Sequence, residues 1–294
     1  MKHLLALPLI GIGLAALAQT PAPKAWTIAA PETYDTAKLP DDHYGKLVKY
    51  GKELSERTFA HIGPEVKNPK MRYAGNNLAC VSCHEGSATK PFAMPWIGAH
   101  AAFPQYRGRE DEVSTIEERV NGCMERSMAG KPLPLDSREM KAFVTYMHFL
   151  SKDVPVAAKV QGQGLPAFKA PDRQADKVAG GKVYAEKCAS CHGENGQGVR
   201  NGPVGSATGY AFPPLWGKDT FNTGAGMNRL LTASASSRPT CRWAPRTASR
   251  SSAMTRPTMW PLSCSVSRAR SSRIWSATSR PAGTSPSMPR SAPT

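Results

Sequence analysis

Two five-residue runs in this 294-residue chain place two thiols and an imidazole at one fixed spacing, Cys80-Val81-Ser82-Cys83-His84 and Cys188-Ala189-Ser190-Cys191-His192. In the order C-x-x-C-H, two thiols can reach the two vinyl groups of one porphyrin while the next residue turns its imidazole onto the iron, which makes the pattern a c-type haem attachment signature. A redox dithiol needs the C-x-x-C spacing but no histidine after it. Two covalently bound haem c groups are therefore expected, held by Cys80, Cys83, Cys188 and Cys191, with His84 and His192 as iron ligands.

The sixth iron ligand separates a carrier from a catalyst. A carrier keeps both axial positions filled by Met or His, whereas a reactive centre needs a displaceable or chemically active ligand. After His84 the candidates are Met94, His100, Cys123, Met124 and Met128. Cys123 stands apart as a thiol outside both attachment motifs. Three readings of it stay open from the residues alone: a haem ligand, a free buried thiol, or a disulfide partner of Cys241 or Cys264. If Glu110 to Ser127 forms one helix, Arg119 (i−4), Arg126 (i+3) and Ser127 (i+4) share the face of Cys123, with Arg107 and Arg109 just ahead of it. Guanidinium groups beside a cysteine favour the thiolate, which binds iron or attacks sulfur. They also hold small dianionic oxyanions through bidentate hydrogen bonds. The same arginines could instead pair with Glu117, Glu118 and Glu125 on a solvated face.

These residues need elements to position them. Residues 42–59 carry Tyr44, Leu47, Val48, Tyr50, Leu54 and Phe59 among Lys and Glu, the spacing of an amphipathic helix. Asp136-Ser137-Arg138-Glu139 has the form of a capping box, and Met140, Phe143, Val144, Met147 and Leu150 then follow helical spacing. The Pro, Gly and Lys content of Val154 to Asp172 reads as a linker, and a helical run at 175–187 opens a second unit. A haem supplies much of the core that a helical unit of ~100 residues needs. The expected fold class is all-α, with two cytochrome c-like haem domains in tandem over residues 19–153 and 174–233. Residues 154–173 join them, and an irregular tail covers 234–294.

Composition removes several function classes. No apolar run of eighteen or more residues marks a polytopic membrane protein, and seven cysteines are too few for a disulfide-dense miniprotein. The net charge of +16 is unevenly spread: from Thr220 to Thr294 there are eleven Arg and no Asp, Glu or Lys, leaving about +5 for the rest. No nucleic-acid partner is expected on that basis. Lys2 and His3, the apolar stretch Leu4 to Leu17 and the small-x-small sequence Ala16-Leu17-Ala18 read as a signal peptide over residues 1–18. Export to the periplasm without stable membrane insertion is the expectation.

A longer segment carries a family likeness. Asn121-Gly122-Cys123-Met124-Glu125-Arg126-Ser127-Met128-Ala129-Gly130-Lys131 resembles the cysteine-ligand segment of diheme thiosulfate dehydrogenases. Phe212-Pro213-Pro214-Leu215-Trp216-Gly217 and Phe221-Asn222-Thr223-Gly224-Ala225-Gly226-Met227-Asn228-Arg229 are similar to that family's second haem domain. The resemblance covers about Tyr44 to Thr232. It implies coupling of two thiosulfates into tetrathionate, reversible in some members, with electrons passed to a c-type cytochrome. It also implies that His84 and Cys123 ligate the active-site haem, while Arg109, Arg119 and Ser127 hold thiosulfate beside the Cys123 sulfur. A plain diheme carrier would share the attachment motifs but would not need Cys123. A Sox-type L-cysteine S-thiosulfotransferase subunit would also have a cysteine-ligated haem, but it attaches thiosulfate to a carrier protein.

The tail is expected to be out of frame. From Ala235 onward the chain is rich in Ser, Arg, Pro and Thr, the composition of a disordered segment. Back-translated with permitted codons and read from the third base of each, Ala235 to Arg246 can give FIKADMPLGTA, and Ala253 to Ser267 can give DDEADDVAAFVLSQ. The first has the Met-Pro of a distal ligand loop and the second the apolar run of a closing helix. The family's distal Met would fall near Thr240-Cys241, where the written sequence has none, leaving Met227 as a substitute ligand for the second haem.

Overall fold

The computed structural model describes residues 25–240. The expected signal peptide at 1–18, Cys241, Cys264 and the tail beyond Thr240 lie outside those residues.

Helices dominate, as the periodicity predicts. The first long one, α1 (His43–Glu56), starts where the Asp42 carboxylate accepts a hydrogen bond from Gly45 N at 2.7 Å, an N-cap that satisfies an otherwise unpaired donor. Its buried positions Gly45, Val48, Gly51, Leu54 and Ser55 recur at helical spacing. It ends at Glu56, and a separate one-turn helix, Thr58–His61, follows. The helix α2 (Ile116–Arg126) is capped by Thr115 and Glu118 in a reciprocal box. The helix α3 (Arg138–Leu150) is capped by the Ser137 hydroxyl, which accepts from Met140 N at 3.1 Å. Ser137 thus caps this helix, where the sequence pattern had pointed to a box opened by Asp136.

The core of the first unit lies between α1 and α3. Phe143, Tyr146, Met140 and Leu150 of α3 meet Val48 and Leu54 of α1, all at most 1% exposed. Gly51 permits this contact: a Cβ there would lie 2.1 Å from the Ala142 carbonyl oxygen and 2.7 Å from Tyr146 Cβ. Close backbone approach leaves no room for any side chain.

Six short strands form three two-stranded sheets among the described residues. β1 (Trp26–Thr27) pairs in parallel with β4 (Val160–Gln161), β2 (Gln105–Arg107) is antiparallel to β3 (Glu112–Ser114), and β5 (Val199–Arg200) is antiparallel to β6 (Tyr210–Phe212). Two expectations need correction here. Glu110 to Ser127 is not one helix, because Asp111, at φ 56°, turns the chain from β2 into β3 and the helix starts only at Ile116. The expected linker is packed over its first part: β4 joins β1, and Gly162 and Gly164 carbonyls accept from Phe92 N and Met94 N at 2.7 and 2.9 Å. Backbone donors of the 92–94 loop need those acceptors once buried.

The second unit opens with α4 (Lys177–Lys187), whose N-terminus is capped by the Asp176 carboxylate. It closes, among the described residues, with α5 (Leu230–Thr240). The irregular tail expected from residue 234 therefore begins as helix through Thr240.

Candidate haem and anion site

Each attachment motif is held from below by its own elements. In the first unit the Thr58 hydroxyl accepts from Cys80 N at 3.2 Å and donates to the Leu54 carbonyl at 2.7 Å, tying the motif to the end of α1. Burial pushes the Cys80 thiol up to about 12 and the Cys83 thiol up to about 11, which keeps both protonated at neutral pH. Burial lowers His84 to about 4, against the opposing effect of a backbone hydrogen bond. Its Nδ1 donates to the Met94 carbonyl at 2.5 Å. A neutral imidazole with its proton on Nδ1 keeps the Nε2 lone pair for a metal.

The second unit repeats the device. His192 Nδ1 donates to the Pro213 carbonyl at 2.8 Å, and in both cases the accepting carbonyl belongs to the residue before a proline, Pro95 or Pro214. Among the described residues neither Nε2 has a hydrogen-bond partner, and no cysteine pairs in a disulfide. The donor set fits a c-type haem at both sites: two thiols and one oriented imidazole in each. Aromatic side chains sit beside both histidines, Trp96 at 5.4 Å from the His84 ring and Phe212 at 6.4 Å from the His192 ring.

Cys123 comes to the first motif. It lies close enough to raise the Cys80 and Cys83 thiols further, after burial, and the charge of Arg119 acts on His84, so α2 lies against the attachment loop. Arg119 Nη1 donates to Cys123 Sγ at 2.8 Å, as the i−4 spacing predicts. Three of the other four sixth-ligand candidates are occupied elsewhere. Met124 and Met128 are core residues, 2% and 4% exposed, and His100 packs its ring edge-on against His148 at 4.9 Å. Met94 supplies the carbonyl that His84 binds.

The remaining predicted residues separate. Ser127 ends α2 and donates its N–H to the Cys123 carbonyl at 2.8 Å, while its own carbonyl accepts from Asn76 Nδ2 at 3.0 Å. Arg126 leaves the Cys123 face: its guanidinium folds over Gly122 and donates to Glu110 Oε1 at 2.9 Å. Arg107 Nε stands 3.9 Å from the other Glu110 oxygen. Glu110, then, takes up Arg126; Glu118, one of the acids expected to pair with arginines, caps α2 instead. The hairpin and α2 enclose a depression of about 220 Å3, lined by three arginines, Arg107, Arg119 and Arg126, and by four glutamates, Glu110, Glu112, Glu118 and Glu125.

Arg109 sits at the hairpin tip and reaches the second unit, donating from Nη1 to the Gly224 carbonyl at 2.8 Å. Its pKa is held below the ordinary value, first by partial desolvation, then by the charges of Arg229 and Arg126, with Glu110 opposing. Three guanidiniums here, Arg109, Arg119 and Arg229, make no ion pair with a carboxylate among the described residues. Uncompensated arginines beside a thiol suit a small anion of high charge density.

Sequence reasoning missed how the second unit grips the first. Asp219 Oδ1 accepts from Asn77 N at 2.8 Å, three residues before Cys80, while its Oδ2 accepts from Arg200 Nη1 at 2.9 Å and from Tyr210 Oη at 2.6 Å. Asn222 donates from its N–H to the Arg126 carbonyl at 3.0 Å and from Nδ2 to the Glu125 carbonyl at 2.8 Å, capping the last turn of α2. The one local sign of the hairpin is the turn residues Gly108 and Asp111 between the two short strands. Nothing local signals the contact of Asp219 with Asn77, which spans 142 residues.

Two helical units, each presenting C-x-x-C-H with an oriented imidazole, define a tandem c-type cytochrome. Comparison with known proteins agrees: residues 70–156 match the SoxA/TsdA cytochrome c domain and residues 178–257 match cytochrome c. The protein carries two c-type haems. A thiosulfate dehydrogenase of Allochromatium vinosum is 39% identical over 230 residues, covering 76% of this chain and 78% of that protein. One from Stutzerimonas stutzeri is 39% identical over 197 residues, covering 67% of this chain and 60% of the relative. A solved thiosulfate dehydrogenase, TsdBA from Marichromatium purpuratum, superposes with a TM-score of 0.65 at 29% identity, covering 77% of this chain and 46% of that one. The chain belongs to the thiosulfate dehydrogenase family. It spans about 60% of the length of the Stutzerimonas stutzeri relative.

Proposed function

We propose that this protein oxidises two thiosulfate ions to tetrathionate at Cys123 and passes the two electrons to an external c-type cytochrome in the periplasm. The observation that carries the reading is the 2.8 Å hydrogen bond from Arg119 to Cys123 Sγ, beside the His84 attachment loop and within a group of unpaired arginines. Neither a plain electron carrier nor a structural thiol has a use for that arrangement.

His84 and Cys123 would hold one iron, and His192 the other, with Cys80, Cys83, Cys188 and Cys191 bonded to the porphyrins. Bound haem supplies a one-electron redox centre at each histidine, and an anionic sulfur ligand stabilises the oxidised state. Arg109 and Arg119 bind thiosulfate through its sulfonate oxygens and aim its terminal sulfur at Cys123 Sγ, and Ser127 at the end of α2 adds a hydroxyl donor. The Cys123 thiolate and one thiosulfate lose two electrons as the S–S bond forms, giving a protein S-thiosulfonate of charge −1. A second thiosulfate attacks the outer sulfur, the bond to Cys123 breaks, and tetrathionate leaves with the thiolate restored. Fixed guanidiniums lower the repulsion between two dianions at the crowded moment. The reverse sequence would reduce tetrathionate.

Purified protein with both haems attached, given thiosulfate and ferricyanide alone, should form one tetrathionate for every two ferricyanides reduced. Reduction of the protein without tetrathionate would make it a carrier, and thiosulfate found only on a partner protein would make it a transferase.

A further inference from the structure

The segment 221–229 of the second unit is built onto the site of the first. Asn222 is bonded to the last turn of α2, the helix that carries Arg119 and Cys123, at 2.8 and 3.0 Å. Gly224 lies against the Arg126 stem, where a Cβ would stand 3.4 Å from Cγ and Cδ, and its carbonyl takes the hydrogen bond from Arg109. The chain is then tightened by Asn222 Oδ1 accepting from Gly224 N at 2.9 Å and by Asn228 Nδ2 donating to the Thr223 carbonyl at 3.1 Å. A single 3-10 turn, Gly226–Asn228, delivers the next residue, Arg229, to the neighbourhood of Arg109. Of the charged side chains around Arg109, Arg229 acts on it most strongly. Arg229 is exposed and makes no ion pair with a carboxylate among the described residues.

Two like charges are brought near each other by a loop fixed at three points, and although Glu110 also acts on Arg109, neither guanidinium has a carboxylate in ion-pair contact among the described residues, which favours a small anion of high charge density between them. We propose that Arg229 is a specificity-determining residue of the anion site, supplied by the second domain, and that with Arg109 it binds the second of two sulfur oxyanion dianions. The inference rests on the thiosulfate reading above. The first dianion is held by Arg119 beside Cys123, with Arg109 shared between the two anions. The second has to arrive while the first is in place, and Arg109 at the hairpin tip and Arg229 at the end of the 221–229 loop are the guanidiniums left to receive it. Both domains then build one site, and a first domain alone would lack half of the second anion's guanidiniums.

The test is Arg229→Gln and Arg229→Lys in the full chain with both haems attached, assayed with thiosulfate and ferricyanide. Sulfate, a dianion of the same shape that cannot be coupled, serves as the inhibitor. For Arg229→Gln the KM for thiosulfate should rise about tenfold and competitive inhibition by sulfate should weaken about as much, with kcat changed less than about twofold. Arg229→Lys keeps the charge and should recover part of the loss. Lys182→Gln, which removes one positive charge from the exposed face of α4, should change neither constant. Unchanged KM and sulfate inhibition in Arg229→Gln would overturn the proposal, as would an equal effect of Lys182→Gln, which would reduce it to net charge. If the unaltered protein forms no tetrathionate, the functional reading fails first; sulfate binding followed by calorimetry on the oxidised protein then tests Arg229 by itself, with weaker binding in Arg229→Gln as the expected result and equal binding the contrary one.

Discussion

Cys123 is a small side chain on which several demands meet. It must stand near Cys80 and Cys83, accept from Arg119 at 2.8 Å, and stay out of any disulfide. The i−4 spacing of Arg119 was legible because α2 is a helix through both residues, so that one period places them on one face. The same period misleads for Arg126, since a turn of hairpin outside the helix offers Glu110 and draws the guanidinium away. Helical phase gives direction from the backbone; it says nothing of what competes for a long side chain. If Cys123 is the reacting group, Cys123→Ala should lower thiosulfate turnover by at least about a thousandfold, the scale of removing a nucleophile. Haem content by absorbance should remain two per chain, because Cys80, Cys83, Cys188 and Cys191 are untouched. Turnover within tenfold of normal would show that sulfur chemistry happens elsewhere.

At the level of elements, the long helices could be read and the short strands could not. The helices α1 and α3 declare themselves through a 3.6-residue pattern over thirteen or more positions and through Asp or Ser caps, and α4 through its Asp176 cap alone. The three-residue strands β2 and β3 are too short for alternation to show, and only Gly108 and Asp111 mark their turn. Yet this hairpin carries Arg109 to the site. The contact between α1 and α3 sets the floor under the first haem motif, since Thr58, just past α1 and bonded to its Leu54 carbonyl, holds Cys80. Gly51→Ala should force the two backbones apart and cost about 1–3 kcal/mol, the range for overpacking. Thermal unfolding of the haem-loaded protein reads this directly, and the first-unit haem band should shift before the second. A melting temperature within a degree of normal would show that α1 and α3 can slide without loss.

Over the whole molecule, the two units behave as one because Asp219 joins them. Its carboxylate binds Asn77 of the first unit while Arg200 and Tyr210 of the second hold its other oxygen. Removing the charge leaves Arg200, whose side chain is 16% exposed, without its charged partner and with only the Ser206 carbonyl and the Tyr210 ring. Hydrogen bonds to charged groups contribute about 1.5–3 kcal/mol each, so Asp219→Asn should weaken the docking of the units rather than either fold. Limited proteolysis between residues 165 and 175 should speed up severalfold, with each unit's haem spectrum retained. Unchanged cleavage would mean that the 221–229 loop alone suffices. No sequence pattern announces this join, because its partners are far apart in the chain and each is ordinary where it stands.

The parallel pairing of Trp26–Thr27 with Val160–Gln161 has a mechanical consequence. The chain enters and leaves the first unit along adjacent strands that run in the same direction. A force pulling these two ends apart therefore drags the strands lengthwise past each other and loads their cross-links, including Trp26 N to the Lys159 carbonyl at 2.7 Å, together in shear. An antiparallel pair pulled the same way would peel open one bond at a time. Under tension the first unit resists at its own doorway, and the haem pocket and the cysteine behind it are shielded until that short clamp gives way.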